Sequence, residues 1–458
     1  MIDMTTKTSA TSTLLLLLLG VGSAPACGGD DGKGDELGSD TTGETSSGDS
    51  STSSSESSGS TSDSGDSTSE TGEDPNIACE SSWDAVQQKT NGQTHAGYGV
   101  AVADDGNFAV VGKLENMDDD AWVGVFSPSG EPIWDEVISS GQGKDYAQAV
   151  TFDAGGDLVL VGSLANTNKD LWVEKRSVGD GAILWTVVEP SEFAGDNIPA
   201  DIDLAPDGSI VVSATIRTGD KDSDIGLRKL ASADGSLVWA TTYSGSPDAN
   251  GYSIDRAGPV GVAGDGSIYV GGEEGVDAMT KEGVLLQFGA GGGSNQWRLA
   301  PREDGSTHLH DVVGVAGGAD GEVYFVVHQG ADPSPFWFYR AAGDGSIEWE
   351  LTREDFEFPP TSGWIVSGLD LADDGSVTIG GRLTNEEVGQ AIDWSEAWIA
   401  NIRLDGVGTC IAHHTWKNTH IIPASTFAYG FAEGPNGVVL AGEVVDGPEN
   451  YLWVGGFD

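Results

Sequence analysis

From residue 94 onward the chain alternates short apolar runs with turns rich in glycine, aspartate and asparagine, and no stretch keeps a helical period. Runs such as Asn107–Gly112 (NFAVVG), Asp157–Gly162 (DLVLVG) and Ser267–Gly271 (SIYVG) read as β-strands entered through a tight turn. The turn dipeptide recurs at Asp105-Gly106, Gly155-Gly156, Asp207-Gly208, Asp265-Gly266, Asp320-Gly321, Asp374-Gly375 and Asn436-Gly437, with glycine spacings of 50, 52, 58, 55, 54 and 62 residues. A period of that length marks a repeat architecture. Each unit predicts an inner strand, a hairpin, a second strand, a variable loop and two more strands.

Tryptophans set the number of units. Trp134, Trp185, Trp239, Trp297, Trp349 and Trp416 each fall in the last strand of a unit, and Trp83 has the same neighbourhood ahead of the first. In the first five a glycine stands four residues earlier: Gly130, Gly181, Gly235, Gly293 and Gly345. A second tryptophan marks the penultimate strand at Trp122, Trp172, Trp337, Trp398 and Trp453. The last unit runs out of chain at Asp458 before its fourth strand, so the strand around Trp83 is expected to complete it. An array closed in this way leaves few exposed sheet edges. The expected fold is all-β, a seven-bladed β-propeller of four-stranded antiparallel blades over 77–458, with the N-terminal strand completing the last blade.

The Gly-x-x-x-Trp ends of these units (Gly181 to Trp185, Gly235 to Trp239, Gly345 to Trp349) resemble the blade-docking motif of bacterial β-propeller repeat families, including quinoprotein-like repeats. Those families carry a threonine before the glycine, and this chain does not. The resemblance implies an architecture and says little of chemistry.

The beginning of the chain has a different character. Lys7, the apolar run Leu14 to Leu19 and Ala24-Pro25-Ala26-Cys27 read as an export signal too short to span a bilayer. A cysteine directly after small residues resembles a bacterial lipobox, which implies cleavage before Cys27 and acylation there; the alternative is plain secretory cleavage after Ala26. Residues 28–75 are almost entirely Gly, Ser, Thr, Asp and Glu, with Lys33 the only base. Such a segment has too little apolar surface to offset the entropy of ordering. The organisation expected is therefore a signal peptide over 1–26, a lipidated cysteine and disordered acidic tether over 27–76, and the propeller. Spacers of this composition resemble those of myxobacterial surface lipoproteins, which implies an exported, membrane-anchored protein at the outer membrane or cell surface.

With 73 acidic against 21 basic side chains the net charge is −52, which excludes a phosphate-tracking nucleic-acid surface. The anticipated partners are the membrane, through the lipid, and an envelope protein or glycan; the propeller itself is expected to be monomeric. The other two of the three cysteines, Cys79 and Cys410, each precede a last-strand tryptophan, and in an oxidising compartment they are expected to form a disulfide.

Loops entering the inner strands carry His95, Tyr98, Tyr146, Tyr252, His308, His310, Trp364 and Tyr429, a candidate ligand rim at the channel mouth. They read either as a stacking platform for a sugar, peptide or other planar group, or as packing between blades. His308 and His310 point to one side of a strand and are weak candidates for a shared metal; bonding to backbone or water is the alternative. A second loop set is acidic, with Asp118 to Asp120, Asp170, Asp222, Asp224, Asp277, Asp332, Glu386, Glu387 and Asp446. It suits a solvated face, with calcium the alternative. No nucleophile elbow, zinc-protease helix or phosphate loop is present in the sequence. The expected function is a non-enzymatic binding or scaffolding module without a cofactor; the alternative is a propeller enzyme, quinoprotein-like or polysaccharide-acting, with its site at the channel mouth.

Overall fold

The computed structural model describes residues 81–87, 94–115, 118–220, 222–246, 253–275, 281–301, 310–329, 335–356, 362–372, 375–385, 395–404, 409–416, 425–446 and 449–457. All belong to the unit Pro75–Asp458. Cys27, the acidic segment that follows it and Cys79 lie outside them.

The elements form seven sheets, each built on four antiparallel strands, in chain order in six of them, and the sheets make a seven-bladed β-propeller. The inner strands are Thr94–Val102, Tyr146–Phe152, Ile198–Leu204, Arg256–Val262, His310–Gly317, Ser362–Leu371 and Ser425–Gly434, in blades one to seven. Each inner strand touches the next, and that of blade seven touches that of blade one, so the ring closes. In the seventh sheet Glu449–Phe457 pairs on one side with Gly437–Asp446 and on the other with Ser81–Gln87. Among the described residues the only helical element is the short turn Arg353–Phe356.

Turn chemistry builds the hairpins. In blade one Gly106 N–H donates to Ala103 O at 2.8 Å, and Gly106 has φ +82°, the left-handed geometry that glycine adopts at no steric cost. The Asp105 carboxylate accepts the Asn107 N–H at 2.9 Å. Asp207 and Asp265 repeat this bond to Ser209 and Ser267.

The core lies between the blades. Six apolar clusters each draw buried side chains from two consecutive blades; one joins Phe325 and Tyr339 of blade five to Tyr269 and Leu285 of blade four. A blade cannot bury both of its faces alone, and the ring is the arrangement that covers them.

The Gly-x-x-x-Trp motif acts from blade to blade. The Trp134 indole N–H donates to Val178 O of blade two at 2.7 Å, and Trp185 repeats this to Ser232 O of blade three at 2.9 Å. A Cβ on Gly181 or Gly235 would lie 3.1 or 2.7 Å from the Trp134 or Trp185 ring, so these positions stay bare where the preceding blade's indole lies against them. Blade four departs from the expected spacing. There the glycine against the preceding tryptophan, Trp239, is Gly292 rather than Gly293, one position earlier in a different turn.

Candidate functional site

All seven inner strands carry a β-bulge at the same level. Their registers shift between Gly97/Gly99, Ala147/Ala149, Pro199/Asp201, Ala257/Val260, Val312/Gly314, Val366/Gly368 and Ala428/Gly430. A bulge takes one residue out of the ladder and re-aims it. The residues so displaced are Tyr98, Gln148, Ala200, Gly258 with Pro259, Val313, Ser367 and Tyr429, and all of them line one central cavity of about 540 Å³.

This register separates the sequence-predicted rim residues into three sets. Tyr98 and Tyr429 are bulge residues on the channel, edge to face with ring centroids 5.9 Å apart. The Tyr429 hydroxyl donates to the Glu443 carboxylate at 2.6 Å. Burial pushes the Tyr98 hydroxyl pKa up, against the pull of Lys113. Tyr146 stands two residues before its bulge, with the Lys169 ammonium 4.7 Å above its ring.

His95, His310 and Trp364 stand three residues before their bulges, at a position that joins blades. Its occupants in blades two to four are Asp145, Asn197 and Asp255, all buried. Asp255 N–H donates to Ser223 O of blade three at 2.9 Å, while its carboxylate accepts Gly245 N–H at 2.6 Å and Gly275 N–H at 3.1 Å. Asp145 does the same with Asp119 O, Ser140 N–H and Ala165 N–H. Trp364, only 1 % exposed, sits in the core between blades five and six with its ring 5.3 Å from that of Trp398. It is therefore a packing residue, because this register position faces the neighbouring blade. His310 is buried with its ring 6.0 Å from Trp337. Tyr252, His308 and the side chain of His95 lie outside the described residues, so the proposed histidine pair does too.

The acidic loops are tied into the structure where they are described. Asp119 pairs with Lys144 at 2.6 Å, and Asp170 accepts the Ser191 N–H at 3.0 Å. Burial raises Asp224 to about 6. Among the described residues no three His, Cys, Asp or Glu side chains gather as a metal would require. Asp277, Asp332, Glu386, Glu387 and the side chains of Asp446 and Cys410 lie outside them; the Cys410 backbone pairs with Arg403 in the blade six sheet.

Two groups of the channel wall were not singled out by the sequence, Arg256 and Glu273, and Asp311, next to His310, joins them. All three line the cavity. Arg256 and Glu273 are cross-strand partners in blade four, and Glu273 is ion-paired with Lys281. Asp311 reaches in from blade five. Burial, and then the hydrogen-bonded Glu273 carboxylate, hold its carboxyl well above the usual range. The signal that could have found Arg256 is positional: a base two residues before the bulge in a chain with few bases.

Along the inner strands, carboxylates cap free strand edges. Asp201 and Asp203 of blade three accept the Val260 and Val262 N–H groups of blade four at 3.0 and 2.7 Å, and Asp370 accepts the Glu433 N–H at 2.8 Å. Inner strands have no further strand beside them, so their outward N–H groups need such partners.

Fold and site together define a seven-bladed β-propeller with a polar central channel. No known family pattern matches the sequence, and no curated protein does. Among solved structures the Dos1 propeller is similar at 11% identity over 79% of this chain and 93% of that one, with a TM-score of 0.46. BamB from Moraxella catarrhalis is similar at 11% identity over 62% and 79%, with a TM-score of 0.33. A protein of unknown function from Dyadobacter fermentans is similar at 9% identity over 83% and 99%, with a TM-score of 0.44. None of these likenesses carries a functional argument.

Proposed function

We propose that the protein is a non-enzymatic binding or scaffolding module of the cell envelope, exported by residues 1–26, anchored through acylated Cys27 and held off the membrane by the tether to residue 76. The observation that carries the binding role is the channel of about 540 Å³ to which every blade contributes a bulged residue. Rigid inter-blade packing holds those residues in place. The N-terminal segment supports the address through its composition, and Ser81–Gln87, paired with the last strand, supports the reading that it closes the ring. Among the described residues no helix is long and apolar enough to cross a membrane.

The Asp311–Glu273 pair is the feature nearest to an acid–base site. Burial and the neighbouring Glu273 carboxylate hold the Asp311 carboxyl above its ordinary range.

Crosslinking in intact cells, purification through a C-terminal tag and mass spectrometry test the scaffold role. One partner in near-stoichiometric yield, crosslinked at the channel mouth, is expected; none above background overturns it. Cys27→Ser is expected to move the protein from the membrane fraction to the soluble one. Alkylation under denaturing, non-reducing conditions should leave the mass unchanged if Cys79 and Cys410 are bonded, and two added groups would refute the bond.

A further inference from the structure

We propose that the channel wall formed by Arg256, Glu273 and Asp311 binds the carboxylate of an acidic sugar, with the Tyr98–Tyr429 pair as the apolar surface for a sugar ring. The inference rests on the channel being a binding site and adds what it binds.

Arg256 carries the argument. Its side chain is exposed and lines the cavity, and its two acidic neighbours are already committed, Glu273 to Lys281 and Asp311 to Glu273. Among the described residues no ion pair or hydrogen bond holds its guanidinium. Other bases of this acidic protein are tied down, Arg228 on Glu189 at 2.6 Å and Arg298 between Glu274 and Glu282 at 2.7 and 2.8 Å. Arg256 also draws the Asp311 carboxyl down against burial, and its planar fork of N–H donors is a geometric match for a carboxylate.

The rest of the cavity suits a polyhydroxylated body. Seven bulges withdraw peptide groups from the ladders around the channel. Blades one and seven add the two tyrosine rings. The volume, about 540 Å³, falls among small-ligand sites.

The test is isothermal titration of the purified full chain with methyl glucuronide, its methyl ester and N-acetyl-glycyl-glycine at millimolar concentrations, repeated on Arg256→Gln. Saturable binding of the glucuronide is expected, weakened about tenfold or more by esterification and by Arg256→Gln. The thermal midpoint of the variant reports its folding, and the ester comparison on the unaltered chain stands without it. Absence of glucuronide binding, equal binding of the ester, or unchanged affinity of a folded Arg256→Gln overturns the proposal. Equal or tighter binding of the acetylated dipeptide overturns the sugar assignment. A crosslinked protein partner found alongside any of these failures leaves the scaffold reading standing.

Discussion

Blades two to four and blades five and six solve one problem in two ways. Three residues before the bulge, the first group buries a carboxylate or carboxamide that accepts backbone N–H groups from strand ends, and its backbone is bonded to the preceding blade. At the same position blades five and six bury His310 and Trp364, rings packed against Trp337 and Trp398. The polar solution supplies direction, because each bond fixes a strand end. The apolar one supplies buried area and works where the third strand of the same blade offers a tryptophan, Trp337 or Trp398. A recurring position in a repeat protein thus conserves a place in space while its chemistry follows the local neighbours.

The largest effect should come from the apolar side. Trp364→Ala removes a fully buried ring and is expected to cost about 3–5 kcal/mol in denaturant unfolding. A cost near that of a surface substitution would return Trp364 to the channel rim. On the polar side Asp255→Ala strands two backbone donors, Gly245 and Gly275 N–H, and should cost about 2–4 kcal/mol. Asp255→Asn, which keeps one acceptor, should recover part of that.

Trp134→Phe keeps the ring against Gly181 but loses the indole bond to Val178 O, so a loss of about 1 kcal/mol is expected. A pH slope tests the channel carboxylates separately. Removal from bulk water in the channel raises Asp201 to about 6 and Asp203 to about 7, against the backbone donors that lower both. A carboxyl raised on folding takes up protons more readily folded than unfolded. Its contribution is full below about pH 4, the ordinary carboxylate range, and is lost as pH climbs through the folded value. The thermal midpoint should therefore fall between about pH 4 and 7, and Asp203→Asn should flatten that fall. An identical slope in the variant would refute the assignment.

The sequence showed the repeat, the strand order within a unit and the docking tryptophans, because these depend on turn residues and on contacts between adjacent units. Gly106 and Trp134 could be read so because each acts within its own hairpin or on the next blade. The candidate site was only partly legible. Tyr98, Tyr429, His310 and Trp364 look alike along the chain, as aromatic or imidazole side chains near the start of an inner strand. A bulge leaves no mark in composition, yet it decides which of them faces the channel and which the neighbouring blade.

The number of blades and the turn chemistry were determined locally, by residues a few positions apart repeated along the chain. What meets in the channel was decided by tertiary structure alone. Tyr98 and Tyr429 come together from opposite ends of the propeller sequence, and Asp311 reaches Glu273 across a blade boundary. Closing seven sheets into a ring places the same strand of every unit around one axis, and no local pattern encodes who stands beside whom there.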